Sequence, residues 1–117
     1  MCSMISTLKI IVKNKMTNLP LSGVKIHWVK IPENVKHTGS FIQRFKYSDD
    51  GLQVDITNQG GFSLLHGKLN SGTQLLIYLH RIICPGFQEL KIENKLFINS
   101  GSEKEFLVYL YPDNYEL

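Results

Sequence analysis

Apolar and polar residues alternate along most of this chain, and no segment shows a convincing helical period, which favours paired strands. The 11 residues from Thr73 to Ile83 are also long enough for one short helix, but β-branched and aromatic residues bounded by Gly72 and Pro85 favour a strand. Leu8, Ile10 and Val12 alternate with Lys9, Ile11 and Lys13, and Val24, Ile26 and Trp28 alternate with Lys25 and His27. Phe41, Phe45 and Tyr47 share one parity, as do Leu52, Val54 and Ile56. Thr73 to Ile83 is the most apolar run, with Leu75, Ile77 and Leu79 on one side and Leu76, Tyr78 and His80 on the other. Phe62 to Leu65, Phe87 to Glu93 and Phe106 to Tyr111 complete the set. Turn-forming residues bound each run: Asn14 to Gly23, Pro32 to Ser40, Asp49-Asp50-Gly51, His66 to Gly72, Cys84-Pro85-Gly86 and Asn99 to Glu103. Seven or eight short strands so bounded predict an all-β, antiparallel Greek-key sandwich, with a closed barrel as the alternative. Asp55 to Leu64, with Gly60-Gly61 at its centre, reads as a tight β-hairpin. Trp28 is expected at the centre of the core, and His27 and His80 on the wetter sides of their strands.

A length of 117 residues fits one domain, 1–117, and 43% hydrophobic against 20% charged residues is enough apolar surface to fold unaided. The net charge of +3 comes from scattered lysines, and only Arg44 and Arg81 are arginines, which argues against nucleic-acid binding. Cys2 and Cys84 match neither a CxxC pair nor a zinc knuckle, so free thiols are expected. Met1 to Val12 lacks a charged n-region and a cleavage site, and no apolar run reaches the roughly 20 residues of a membrane span. The expected location is cytoplasmic as synthesised, with any export by a leaderless route or after loss of a leader.

Several segments together resemble the carboxypeptidase regulatory-like, or transthyretin-like, β-sandwich modules. Thr17-Asn18-Leu19-Pro20-Leu21-Ser22-Gly23-Val24 is similar to the family's "tgepLpGv" segment after the first strand. Thr57-Asn58-Gln59-Gly60-Gly61-Phe62-Ser63-Leu64 resembles its "TdanGrFsl" motif, Leu69 to Ile77 its "lpaGtYtLtv" strand, and Pro85-Gly86-Phe87 its "pGY". The resemblance spans nearly the whole chain and implies a transthyretin-like or Ig-like sandwich. An insertion at about 30–53 departs from the minimal module. Modules of this family occur as add-on domains, which implies a docking role. The hydroxyisourate hydrolases, its enzymatic members, carry a C-terminal Tyr-Arg-Gly-Ser signature, whereas this chain ends Tyr111-Pro112-Asp113-Asn114-Tyr115-Glu116-Leu117.

The residues themselves point away from catalysis. No two of His27, His37, His66 and His80 share a strand or helix at ligand spacing, and Asp49-Asp50-Gly51 with Asp55 offers too few oxygens in register for calcium. No phosphate cradle or activated nucleophile is present in the pattern. No enzyme activity, cofactor or metal is therefore expected. Aromatic side chains carry the candidate protein interface, because they offer large, rigid contact area: Phe41, Tyr47, Tyr109, Tyr111 and Tyr115. The expected function is an adaptor or accessory module that docks on a larger protein, such as one of a bacterial secretion or surface assembly. A carbohydrate or small-molecule binding sandwich is the alternative, and it requires Trp28 to be exposed for stacking. Phe106 to Tyr111 is apolar on both parities, so Leu107, Tyr109 and Tyr111 are expected to be covered by the insertion or by a second chain in a homodimer.

Overall fold

The computed structural model describes residues 3–31, 52–70 and 72–115. Its strands are β1 (Ser3–Asn14), β2 (Lys25–Ile31), β3 (Gln53–Ile56), β4 (Phe62–Asn70), β5 (Gln74–Ile83), β6 (Leu90–Asn99) and β7 (Glu103–Leu110). They form two sheets, one ordered β4-β1-β7 and the other β3-β2-β5-β6. Neighbouring strands are antiparallel except β1 and β7, which run parallel from Thr7↔Glu103 to Asn14↔Leu110. The all-β sandwich expected from the alternation is the observed fold.

The inner parities of the two sheets meet in one core. Leu8, Ile10, Val12, Leu65, Leu69, Val108 and Leu110 face Val24, Ile26, Trp28, Leu75, Ile77, Leu79, Leu96 and Ile98 across it. Trp28 is buried there, and its indole Nε1 donates to the Asp55 carboxylate at 2.6 Å, which satisfies the one polar atom of the ring. Sandwich packing of this kind buries one side of each strand and leaves the other to water or to a partner.

His80 corrects the parity reading. Pairing with β2 slips between Trp28↔Leu79 and His27↔Arg81, so His80 is the extra residue of a bulge in β5. The bulge is also what returns Ile82 and Cys84 to the core three and five residues after Leu79, where strict alternation would have turned Ile82 outward. His80 lies on the side of Tyr78, stacked on its ring at 6.1 Å between centroids. It is buried rather than wet, since Val29, Ile31 and Tyr78 form a second apolar cluster on the outer face of this sheet. The guanidinium of Arg81 can only donate, so at 3.0 Å His80 Nε2 accepts from it.

The segment Asp55 to Leu64 is a second correction. Its two strands do not pair: β3 joins β2, and β4 joins β1. Residues 57–61 are instead a corner that carries the chain from one sheet to the other. The turn chemistry is as the residues require, with Asn58 Oδ1 accepting from the Gly60 and Phe62 amides and Gly61 at φ 77°. A side chain at Gly61 would strike Pro20, its Cβ only 2.5 Å from that of the proline. Thr57 fastens this corner to the β1–β2 connection: its buried hydroxyl donates to the Leu21 carbonyl at 2.7 Å and accepts from the Val24 amide at 3.0 Å. The two sequence segments similar to the family motifs thus meet in space.

Strand lengths also differ from the sequence reading. β4 continues through His66 to Asn70, which read as a turn-rich connector, and β6 spans Leu90 to Asn99, beginning later than the strand expected at Phe87 to Glu93 and running on past it. The third strand expected at Phe41 to Tyr47 lies outside the described residues.

Candidate docking interface

The outer face of the three-stranded sheet carries the clearest functional feature. β1, β4 and β7 align so that Leu107, Ile11 and Phe62 stand in one cross-strand row, an apolar stripe running the full width of the sheet. The next row toward the β1 N-terminus is Glu105, Lys9 and Leu64, and on the other side Tyr109 stands beside Lys13. Leu107 is 46% exposed and Leu64 is 41% exposed, while Ile11 and Phe62 are half-buried. Exposed apolar side chains standing singly are ordinary, but a contiguous stripe rimmed by charge marks an interaction surface.

Lysines frame the stripe. Lys9 Nζ lies 4.5 Å from the Phe62 ring centroid and 4.0 Å from Glu105, and Lys15 Nζ lies 4.7 Å from the Tyr109 ring centroid. Their alkyl stems lie along apolar surface while the ammonium groups hold the ring faces, an arrangement that keeps the aromatics wettable in the free protein.

Tyr111 and Tyr115 belong to a different structure. After β7 the chain crosses to the β5–β6 connection, where Gln88 N donates to Tyr111 O at 2.8 Å and Asp113 N to Gly86 O at 3.0 Å. Gln88 Nε2 also donates to the carbonyls of Pro112 and Tyr115, at 3.3 and 2.8 Å. The two rings stack at 4.9 Å between centroids, 28° apart. Tyr111 is half-buried and Tyr115 exposed, so this clamp closes the end of the sandwich with one aromatic side left open.

Of the residues singled out in the sequence, Tyr109 joins the stripe, Tyr111 and Tyr115 join the clamp, and Phe41 and Tyr47 lie outside the described residues. The described residues do not supply the cover expected over Leu107, Tyr109 and Tyr111, since Leu107 is open and the two tyrosines are half-buried, and residues 32–51 of the insertion lie outside the described residues. The insertion leaves β2 and re-enters at β3, both strands of the opposite sheet. Ile11, Phe62 and Leu64 were missed as site residues. The available signal was Ile11, an apolar residue on the lysine-bearing parity of the first strand.

Among the described residues no group of three or more His, Cys, Asp or Glu side chains could hold a metal ion. Cys84 is a buried free thiol whose pKa burial pushes up, away from nucleophilic reactivity. Trp28, being buried, offers no stacking platform for a sugar. Among the described residues no helix is long and apolar enough to cross a membrane.

No family model matches the chain, and no curated protein matches it in sequence. Solved structures share its fold. The Bacillus anthracis TIE protein is 13% identical with a TM-score of 0.59, the match covering 93% of this chain and 17% of that one. GBS52, the minor pilin of the Gram-positive pathogen Streptococcus agalactiae, is 13% identical with a TM-score of 0.55, covering 98% of this chain and 47% of that one. The chain therefore spans less than half the length of either neighbour.

Proposed function

We propose that this chain is a non-catalytic β-sandwich module that docks on a larger protein through the outer face of its three-stranded sheet. The observation that carries this reading is the apolar stripe of Leu107, Ile11 and Phe62, continuous across three strands and extended by Leu64. An accessory role in a bacterial surface or secretion assembly is supported by likeness to part of a minor pilin and by the size relation, since in both neighbours the matching region is a fraction of a longer chain. Kinship with the carboxypeptidase regulatory-like modules is supported by the two motif segments that meet at Thr57. The partner is another protein with an apolar ridge and acidic flanks, because Lys9, Lys13 and Lys15 outnumber Glu105 around the stripe.

The test is affinity capture from the native source with crosslinking, run with the wild type beside a Leu64→Lys/Leu107→Lys variant. Both positions are exposed, so the variant keeps its fold. A partner crosslinked to β1, β4 or β7 of the wild type and lost by the folded variant is the expected result. Equal recovery with both proteins would move the docking surface elsewhere.

A further inference from the structure

We propose that a cleft at the edge of β4, where Lys30, His66 and Lys68 converge beside Ile5, binds an anionic group, a carboxylate or phosphate. The cleft has a volume of about 450 Å³ and is lined by Ile5, Lys30, His66, Gly67 and Lys68, within the usual range for small-molecule sites. Its Ile5, His66 and Lys68 lie on the same outer face as the docking stripe, His66 one row beyond Leu64, while Lys30 comes from the opposite sheet.

The cleft follows from where the strands stop. β3 pairs with β2 only as far as Trp28, so Lys30, two residues on and on the same parity as Trp28, stands at the mouth between the sheets. β4 is an edge strand among the described residues. Its ladder with β1 alternates, and the Val12 N to Gly61 O bond of 2.8 Å fixes the phase. Ser63, Leu65 and Gly67 then turn their backbone groups toward β1, while the N–H and C=O groups of His66 and Lys68 point out over the open edge. Three basic side chains thus gather at one opening, and no carboxylate is among the described residues that line it.

The side chains are placed for an anion. Thr7 Oγ1 lies 3.0 Å from His66 Nδ1, and with the hydroxyl donating, Nε2 carries the ring proton and is a donor. Two lysines beside the stripe are occupied, Lys9 by Glu105 and Phe62, and Lys15 by Tyr109. Lys30 and Lys68 have no carboxylate partner among the described residues. Lys30 is half-buried, so its charge is partly stripped of water with no carboxylate opposite it among the described residues. An anion entering the cleft relieves that cost and gains charge-assisted hydrogen bonds. Ile5, 56% exposed, gives an apolar wall for the rest of the ligand.

The anion could be a free small molecule or an acidic side chain of a partner protein, and two probes separate these. Inorganic phosphate and a tetraglutamate peptide are titrated into isotope-labelled protein while the backbone amides are followed by NMR. Saturable shifts centred on Lys30, His66, Gly67 and Lys68 are expected for at least one probe, with a dissociation constant of roughly millimolar for so open a site. They should weaken by about tenfold or more in a Lys30→Gln/Lys68→Gln variant whose thermal unfolding matches the wild type. Saturation by phosphate identifies a free anion, and saturation by the peptide alone identifies a partner's acidic chain; either upholds the site. No saturable shift with either probe, or shifts undiminished in the folded variant, would overturn it.

Discussion

Thr57 is the smallest feature with a large structural duty. Its hydroxyl ties Leu21 to Val24 across the corner, and its backbone extends the β2–β3 pairing through Gly23 N to Thr57 O and Thr57 N to Val24 O, both 3.0 Å. Replacement by valine keeps the shape but strands a buried amide and carbonyl, so Thr57→Val should lose about 1–3 kcal/mol in denaturant unfolding. Cys84 gives a second expectation at this scale. Its folded thiol holds its proton more tightly than the unfolded chain does. The stability this supplies is complete below the unfolded thiol's pKa and is lost as pH rises through the folded one. Melting temperatures taken across the alkaline range should therefore fall more steeply for the wild type than for Cys84→Ala.

Strands were legible wherever one side of the alternation was strongly apolar. β1, β2, β5 and β7 announce themselves through Leu8, Ile26, Ile77 and Val108, each now in the core. β4 and β6 were cut short because His66 and Lys68, or Asn94 and Lys95, have turn-like or charged character, while the inward Leu69, Leu96 and Ile98 are too sparse to outweigh them. The corner at Asn58 to Gly61 was misread for a different reason. Local turn chemistry fixes the reversal of the backbone but not which sheet the next strand joins, and that choice is made by distant partners on β1 and β2. The stripe was hidden likewise, since it exists only once three separated strands come into register. The clamp has its own test at this scale. Gln88→Ala removes the donor to Pro112 and Tyr115, and should cost about 1–2 kcal/mol while raising amide exchange at Tyr115.

The described residues as a whole present a covered core and, among them, one unpartnered sheet face, and the identity of the cover is what the sequence could not express. A homodimer through the C-terminal strand is the competing way to bury Leu107 and Tyr109. Face-to-face stacking of two copies would bring Lys9 and Lys13 of one against the lysines of the other, which disfavours it. Sedimentation of the wild type beside Tyr109→Lys is expected to give folded monomers in both samples. A wild-type dimer that becomes monomeric in the variant would instead identify a second copy as the occupant.

β1 and β7, side by side and parallel, join the beginning of the described chain to its end. A pull applied at Ser3 and Leu110 drags these strands in opposite directions along their length. Their shared hydrogen bonds are then loaded in shear and must yield together, whereas an antiparallel pair pulled from adjoining ends peels open one bond at a time. For a module strung within a longer chain, tension would be borne by this ladder. In single-molecule stretching through Ser3 and Leu110, the domain should rupture in one abrupt step. Anchors moved to Gln74 and Asn99, facing residues at one end of the antiparallel β5–β6 pair, should open it at markedly lower force.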